Sequence, residues 1–155
     1  MSIDKFSSIF DGLMEAYGTY KVEKTQVNGK NTGKASIIRE PRTSSLWEGH
    51  LSGKGTALGI IPINKDNLCK WGCIDVDQYP LDHKVLVEKI RKLKLPLVVC
   101  RSKSGGAHCF LFLSDWVEAR DLQQTLQHIS AALGYGDSEI FPKQVKLNLE
   151  RGDVG

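Results

Sequence analysis

The sequence lacks several features that would assign the protein to a class at once. No apolar run approaches the roughly 18 residues of a membrane span, and the first residues lack the basic and apolar zones of a signal peptide. A phosphate-binding loop of the form G-x-x-x-x-G-K-[ST] is missing, and so is any internal repeat. We therefore expect a cytoplasmic protein without a membrane partner, and one that is not a P-loop nucleotidase.

Charge and cysteine content are also modest. Lys and Arg number 21 against 18 Asp and Glu, a formal charge of +3, which by itself does not imply a nucleic-acid partner. Without an export signal, the four cysteines are expected to be reduced thiols that pack in the interior. Zinc is disfavoured, because Cys69 and Cys73 have only His50 and His83 as loosely available partners.

The length of the chain predicts a single domain over residues 1–155, and 41% of its residues are hydrophobic, as in a globular protein. Apolar spacing and turn residues predict an order β-β-α-β-β-α after an N-terminal helix. The fold class is therefore α+β, a sheet with helices packed on one face. The predicted helices are 3–17, 82–93 and 116–133, and the predicted strands are 56–63, 71–77, 97–101 and 107–113.

Residues 21–54 differ from the rest because they hold seven basic and three acidic residues. Asn28-Gly29 and Thr32-Gly33 are turn signals, so a loose hairpin or a mobile arm is expected here. The segment is either a solvated loop or an arm that binds the phosphates of nucleic acid. The candidate nucleic-acid-binding residues are Lys30, Lys34, Arg39 and Lys54.

The most informative stretch is Cys73-Ile-Asp75-Val-Asp77. Side chains alternate along a strand, so Asp75 and Asp77 should share one face. Two neighbouring carboxylates repel each other and are costly to desolvate, which a bound cation relieves. Mg²⁺ or Mn²⁺ fits such oxygen ligands, although two acids at the end of a strand can also simply point into water.

A second stretch, Arg101-Ser-Lys-Ser-Gly-Gly-Ala-His108, connects two apolar strands. Its glycines let backbone N–H groups approach an anion closely. His108 should share a face with Phe110 and Phe112, and it would meet the two acids if both strands are neighbours in one sheet. The candidate phosphate-binding residues are Arg101, Lys103, Ser104, Gly105, Gly106 and His108.

With these stretches the sequence resembles the archaeo-eukaryotic primase superfamily, in particular the primase–polymerase domains of TOTE conflict systems and related phage and plasmid proteins. Four stretches carry the resemblance in the family's order. They are His50-Leu-Ser-Gly-Lys54 with Leu58-Gly-Ile-Ile-Pro62, Cys73-Ile-Asp-Val-Asp77, Arg101-Ser-Lys-Ser-Gly-Gly-Ala-His108, and Glu139-Ile-Phe-Pro-Lys-Gln144.

The resemblance implies an RRM-like catalytic core beside a smaller N-terminal α/β part, here residues 55–155 and 1–54. It implies that Asp75 and Asp77 are catalytic and bind two divalent metal ions, Mg²⁺ or Mn²⁺, and that His108 contacts the phosphates of the incoming nucleotide. Lys143 becomes a further phosphate-binding candidate. The implied reaction is template-directed nucleotidyl transfer. The implied partners are nucleoside triphosphates, a single-stranded DNA template, and a helicase or other replication proteins, in a bacterium, phage or mobile element.

Two departures from the family pattern bear on activity. Gly106 occupies a position where the superfamily favours serine, and the third acidic metal ligand is apparently absent, since Asp153 lies too close to the Phe141-Pro142 stretch. The catalytic core is therefore expected to be partial, as in a truncated chain. The alternative to an enzyme is an inert module that binds nucleotide or single-stranded nucleic acid on the same fold, and a metal-dependent nuclease using the two acids is a third.

Overall fold

The computed structural model of the protein describes residues 3–27 and 30–148, and the side chains of all of these except residues 22–27 and 30–32. The chain forms four helices and seven strands in this part. They are α1 Ile3–Ile9, β1 Tyr17–Val27, β2 Lys30–Ile38, α2 Ser44–Ser52, β3 Ala57–Gly59, β4 Leu68–Val76, α3 His83–Lys92, β5 Leu97–Arg101, β6 Ala107–Glu118, α4 Ala119–Ala132 and β7 Glu139–Phe141.

The larger sheet contains four antiparallel-paired strands in the order β5-β6-β4-β7. Along the chain these strands and the two intervening helices follow the order β4-α3-β5-β6-α4-β7. This is the β-α-β-β-α-β arrangement of ferredoxin-like and RRM domains. The mixed α+β fold expected from the sequence is therefore confirmed, and the acidic strand β4 lies at the centre of its sheet.

Helices α3 and α4 cover one face of this sheet. Asp82 caps α3 by accepting hydrogen bonds from the backbone N–H groups of Lys84 and Val85. Helix α4 approaches β4 closely at Gly72, where a Cβ atom would lie 2.6 Å from Leu126 Cδ1. The residues that join the helices to the sheet form one buried cluster, which includes Ile74, Val76, Leu86, Ile90, Cys109, Leu111, Leu122 and Leu126.

The smaller sheet has the strand order β2-β1-β3 and is antiparallel throughout. The hairpin expected within residues 21–54 is therefore present as β1 and β2, although its turn signal Asn28-Gly29 lies outside the described residues. Helix α2 follows within the same segment and was not predicted. Lys21 and Lys34 face each other across the two strands, and a pair of like charges in this position is destabilising.

The helix predicted over residues 3–17 is wrong beyond Ile9. The chain leaves the helix because Gly12 lies against the backbone of Ile61, so close that a Cβ atom would be 2.1 Å from the carbonyl oxygen. Leu13 N donates to the same carbonyl at 2.9 Å. The apolar residues that suggested a longer helix instead pack in an irregular segment, and Tyr17 begins β1.

Other element boundaries also differ from the sequence prediction. The strand expected over 56–63 is only Ala57–Gly59, and the buried residues Ile61 and Ile63 follow it without regular structure. The helix expected from residue 116 begins at Ala119, because Trp116 still belongs to β6. Strand β6 is longer than predicted since it keeps pairing with β4 beyond a register shift near Cys69.

None of the helices in the described residues is long and apolar enough to cross a membrane. Asp153 and Gly155 lie outside the described part of the chain.

Candidate active site

The face of the larger sheet that α3 and α4 leave uncovered carries one row of polar side chains. The strand register places Cys100 opposite His108, His108 opposite Asp75, and Asp75 opposite Glu139. Directly paired residues point to the same face of a sheet. Four neighbouring strands therefore present a thiol, an imidazole and two carboxyl groups in line.

His108 and Asp75 are in contact in this row. His108 Nε2 lies 3.5 Å from Asp75 Oδ1, and the His108 side chain is 43% exposed whereas that of Asp75 is 22% exposed. The predicted meeting of imidazole and acid across adjacent strands is thus found in the structure. The imidazole remains open to a ligand on its solvent side.

Asp75 is in an environment that disfavours its charge. Burial raises the pKa of its carboxyl group, the His108 imidazole opposes this shift, and the nearby carboxylates of Asp77 and Glu139 add to it. Asp75 Oδ1 is buried and accepts no hydrogen bond from the described residues, since even His108 Nε2 stays 3.5 Å away. A buried carboxylate oxygen without a donor leaves room for a cation.

Asp77 follows the end of β4 and is held by a tyrosine. Tyr79 donates its hydroxyl hydrogen bond to Asp77 Oδ1 at 2.8 Å, and the same hydroxyl oxygen lies 2.6 Å from Ser104 Oγ. Ser104 Oγ is in turn 3.2 Å from Ser102 Oγ. One tyrosine therefore connects an acid of the site to the glycine turn between β5 and β6, a connection that the sequence did not reveal.

The glycine turn packs tightly against the end of β4. A Cβ atom on Gly106 would lie 2.2 Å from the Val76 carbonyl oxygen, so no side chain fits there without moving the turn. The Gly106 carbonyl oxygen is 2.9 Å from His83 Nε2. Gly105 has a φ of +100°, a conformation that favours glycine. These contacts explain why glycine, and not serine, precedes Ala107 and His108.

The two basic residues of this stretch, Lys103 and Arg101, do not make the contacts with the acids that would be expected of phosphate-binding residues. The Lys103 ammonium stands 5.2 Å from the ring centre of Tyr20 in β1, and so reaches the smaller sheet. Arg101 is paired with Ala107, so it points to the face opposite that of His108. The structure therefore does not bring Arg101 to the acids.

Glu139 is the acid that the sequence analysis did not assign. It opens β7 directly opposite Asp75, and its Oε1 lies 2.6 Å from Lys143 Nζ. Lys143 also stands 5.1 Å from the centre of the Phe141 ring. The structure thus brings Lys143 to the row through Glu139. The sequence shows that Glu139 and Phe141 would share one face of a strand. A strand of only three residues, however, is too short for the sequence to predict which strand it pairs with or in what register.

A cavity of about 510 Å³ opens beside the acids, between the end of β4 and the loop that leads to β7. Four carboxyl groups line it, those of Asp75, Asp77, Asp137 and Glu139. This is a polar, acidic recess and not an apolar ligand pocket.

Below the polar row the same face is covered with aromatic rings. Phe10 follows α1 and packs edge-on against Trp71, Phe110 and Phe112, with ring centres 5.2–5.4 Å apart. Trp71 Nε1 donates to the Asp11 carbonyl at 2.7 Å. The N-terminal segment therefore closes the lower part of the face and leaves the end with Asp75 and His108 open.

The basic residues of the hairpin segment are not gathered at the acids. Lys34 is exposed and faces Lys21, Arg39 lies just after β2, and Lys54 follows α2. The side chain of Lys30 lies outside the described residues.

Three cysteines pack as expected and one does not. Cys69, Cys73 and Cys109 are buried, but Cys100 is exposed on the edge strand β5, because it faces the open side of the sheet. Burial raises the pKa of the Cys109 thiol to about 11 and that of Cys69 to about 12. Burial therefore keeps these thiols protonated at neutral pH, as expected for cysteines that serve in packing.

The fit of a divalent cation can be judged from the acids themselves. Among the described residues, no three His, Cys, Asp or Glu side chains already surround a common point. The buried oxygen of Asp75 and the nearby carboxylates of Asp77 and Glu139 nevertheless supply the oxygen donors that Mg²⁺ and Mn²⁺ take. The donor set therefore fits such a cation in its chemical type.

A known protein family matches most of the chain. The model of the family described as "TOTE conflict system, Archaeo-Eukaryotic Primase domain" matches residues 12–150, which include both sheets and every acid of the site. No curated protein matches the chain.

Proposed function

Because the chain belongs to the archaeo-eukaryotic primase domain family of TOTE conflict systems and hence to a primase-type nucleotidyltransferase superfamily, we propose that it transfers nucleotides from nucleoside triphosphates to a strand paired with a single-stranded DNA template. The observation that carries this proposal is the row in which Asp75 lies between His108 and Glu139. It combines a site for cations with a donor for phosphate on one open face.

In the proposed reaction a 3′-hydroxyl oxygen attacks the α-phosphorus of the triphosphate. The new O–P bond forms as the bond from that phosphorus to the bridging oxygen breaks, and pyrophosphate leaves. A divalent metal pair would supply charge neutralisation and orientation of the attacking and leaving oxygens. Asp75 and Asp77 are the residues that would hold it, and Glu139 is placed to add a third carboxylate.

The remaining residues of the site bind and orient the triphosphate. His108 is exposed enough on its solvent side to donate a hydrogen bond to a phosphate oxygen. The glycine turn leads directly into β6 and His108, with its shape held by the N–H groups of Ser102 and Gly105, and Lys143 supplies a cation near Glu139. Tyr79 keeps Asp77 and Ser104 at a fixed separation, which positions the acid relative to the turn.

The test is triphosphate binding and primer extension on the full chain with Mn²⁺. Asp75→Asn and His108→Ala should each abolish or strongly weaken extension, and Asp75→Asn should remove the Mn²⁺ dependence of triphosphate binding measured by calorimetry. Glu88→Gln is the matched control, because Glu88 is an exposed acid on α3, on the other side of the sheet. Equal triphosphate binding by Asp75→Asn and wild type would refute the metal role.

The same measurements distinguish an inert binding module from an enzyme. Among the described residues the acids do not yet surround one point, which is the observation that favours a binding module. Mn²⁺-dependent binding of the triphosphate without extension of a primed template would identify the chain as that module. Extension that is lost in Asp75→Asn establishes the enzyme.

A further inference from the structure

A groove on the smaller sheet is not used by the proposed chemistry. On one face of this sheet the strand register aligns glycines and alanines of all three strands beside the larger side chains of Tyr20 and Ile37. A cavity of about 540 Å³ runs along the sheet there. The small residues of this face are Gly18, Gly33, Ala35, Ala57 and Gly59.

A tyrosine side chain lies at one end of the groove. Tyr20 of β1 covers Gly33 of β2 so closely that a Cβ atom on Gly33 would be 2.3–2.5 Å from two ring carbons and the hydroxyl oxygen of the tyrosine. Tyr20 is nevertheless 36% exposed. The glycine thus lets the ring rest on the sheet with its other face outward, as in an aromatic residue covering a cross-strand glycine.

The Tyr20 ring also has a positive charge next to it. Lys103 Nζ stands 5.2 Å from the ring centre. A cation at an exposed ring is held weakly, so it can be exchanged for another partner.

The groove is connected to the candidate active site through the glycine turn. Lys103 belongs to this turn, and the next residue, Ser104, contacts the Tyr79 hydroxyl that donates to Asp77. An aromatic ring, a neighbouring lysine and a shallow apolar floor are therefore linked to the acids by a few consecutive contacts. This combination is the one that single-strand-binding proteins use for a base and its phosphate.

We propose that this groove holds a base of the single-stranded template, stacked on Tyr20, with Lys103 moving from the ring to the adjacent phosphate. Stacking on a ring is stronger than an exposed cation–π contact, so the exchange favours the bound strand. The small residues leave the depth that a base requires. The proposal rests on the proposed function, since it names where the template of that reaction lies.

The test is fluorescence anisotropy of the full chain with a labelled thymidine oligonucleotide of about ten residues, within the site sizes of single-strand binders. Tyr20→Ala should weaken binding about 5- to 100-fold, whereas Tyr20→Phe should stay close to wild type. The same titration with an abasic oligonucleotide should show no difference between Tyr20→Ala and wild type. Leu51→Ala, at an exposed apolar residue of α2, is the control.

Ala35→Leu gives an independent variant, because it fills the groove and keeps the ring. It should weaken binding of the thymidine strand as Tyr20→Ala does, which keeps the test decisive if Tyr20→Ala fails to fold. Both variants should bind the triphosphate with Mn²⁺ as wild type does. If wild type itself showed no Mn²⁺-dependent triphosphate binding, that result would count against the proposed function and not against the template groove. The proposed template groove would be overturned if the two variants bound the thymidine strand as tightly as wild type does. It would also be overturned if they lost as much affinity for the abasic strand, or if they changed the oligomeric state and left the strand affinity unchanged.

Discussion

Asp75 and His108 face each other across the central pair of strands of the larger sheet, with Oδ1 and Nε2 3.5 Å apart. The proposed function depends on this relationship, because the acids and the imidazole could equally have been on opposite sides. Carboxylates alone would be consistent with an ordinary solvated strand end. An imidazole in the same row adds a donor for phosphate oxygens.

The first prediction concerns the stability of the metal-free protein. The pKa of Asp75 is raised in the folded state, chiefly by burial, so ionisation of this carboxyl group destabilises the fold. The cost is absent below the ordinary pKa of an aspartate and complete above the raised pKa. We expect Asp75→Asn to raise the melting temperature at pH 7 in EDTA, and the difference from wild type to vanish as the pH falls below about 4.

The measurement is thermal unfolding followed by circular dichroism from pH 3 to pH 8. Addition of Mn²⁺ should stabilise wild type and not Asp75→Asn, because only the carboxylate gains from the cation. Glu88→Gln should behave as wild type in both measurements. A melting temperature for Asp75→Asn that stays below wild type throughout this range would contradict the assigned electrostatic cost.

The sequence predicts those parts of the site that depend on local patterns of residues. The alternation in Cys73-Ile-Asp75-Val-Asp77 and around His108 is local, and it correctly placed the polar residues of β4 and β6 on one face. The core helices α3 and α4 were likewise found from their apolar spacing, within a few residues. Local periodicity suffices where the element is long and one face is buried.

The failures arise where distant residues decide the outcome. The segment after Ile9 has helical apolar spacing, but the contact between Gly12 and Ile61 ends the helix, and no local pattern contains that contact. Glu139 joins the site only because β7 pairs with β4. Tertiary pairing thus overrides local preference at both positions.

The second prediction tests Glu139 as a further cation ligand. Glu139→Gln removes a carboxylate from the row and should lower Mn²⁺ affinity about tenfold or more, as measured by electron paramagnetic resonance of free Mn²⁺. It should also lower the pKa of Asp75, because a like charge is lost. Lys143 loses its partner at 2.6 Å in this variant, so Lys143→Gln is the control for that pair. Equal Mn²⁺ affinity in Glu139→Gln and wild type would remove Glu139 from the ligand set.

The third prediction concerns Tyr79 as a positioning residue. Tyr79→Phe removes the hydroxyl that donates to Asp77 and contacts Ser104. We expect triphosphate affinity to fall about 3- to 10-fold, equivalent to roughly 1 kcal/mol for one exposed hydrogen-bonded link, with little change in melting temperature. Calorimetric titration of triphosphate at saturating Mn²⁺ is the measurement. An equal loss in the binding of the nucleoside alone would show instead that the Tyr79 hydroxyl contacts the nucleoside directly and does not act through Asp77.

The fourth prediction concerns the packing of the glycine turn. Gly106→Ala places a Cβ atom 2.2 Å from the Val76 carbonyl oxygen, a backbone atom that cannot rotate away. We expect a loss of about 1–3 kcal/mol in the free energy of unfolding and weaker triphosphate binding, because the turn and His108 must shift together. Gly136→Ala is the control, since its Cβ would find no atom closer than 3.8 Å. Urea denaturation gives the stability, and a Gly106→Ala variant as stable as Gly136→Ala would show that β4 and the turn separate more easily than their contact implies.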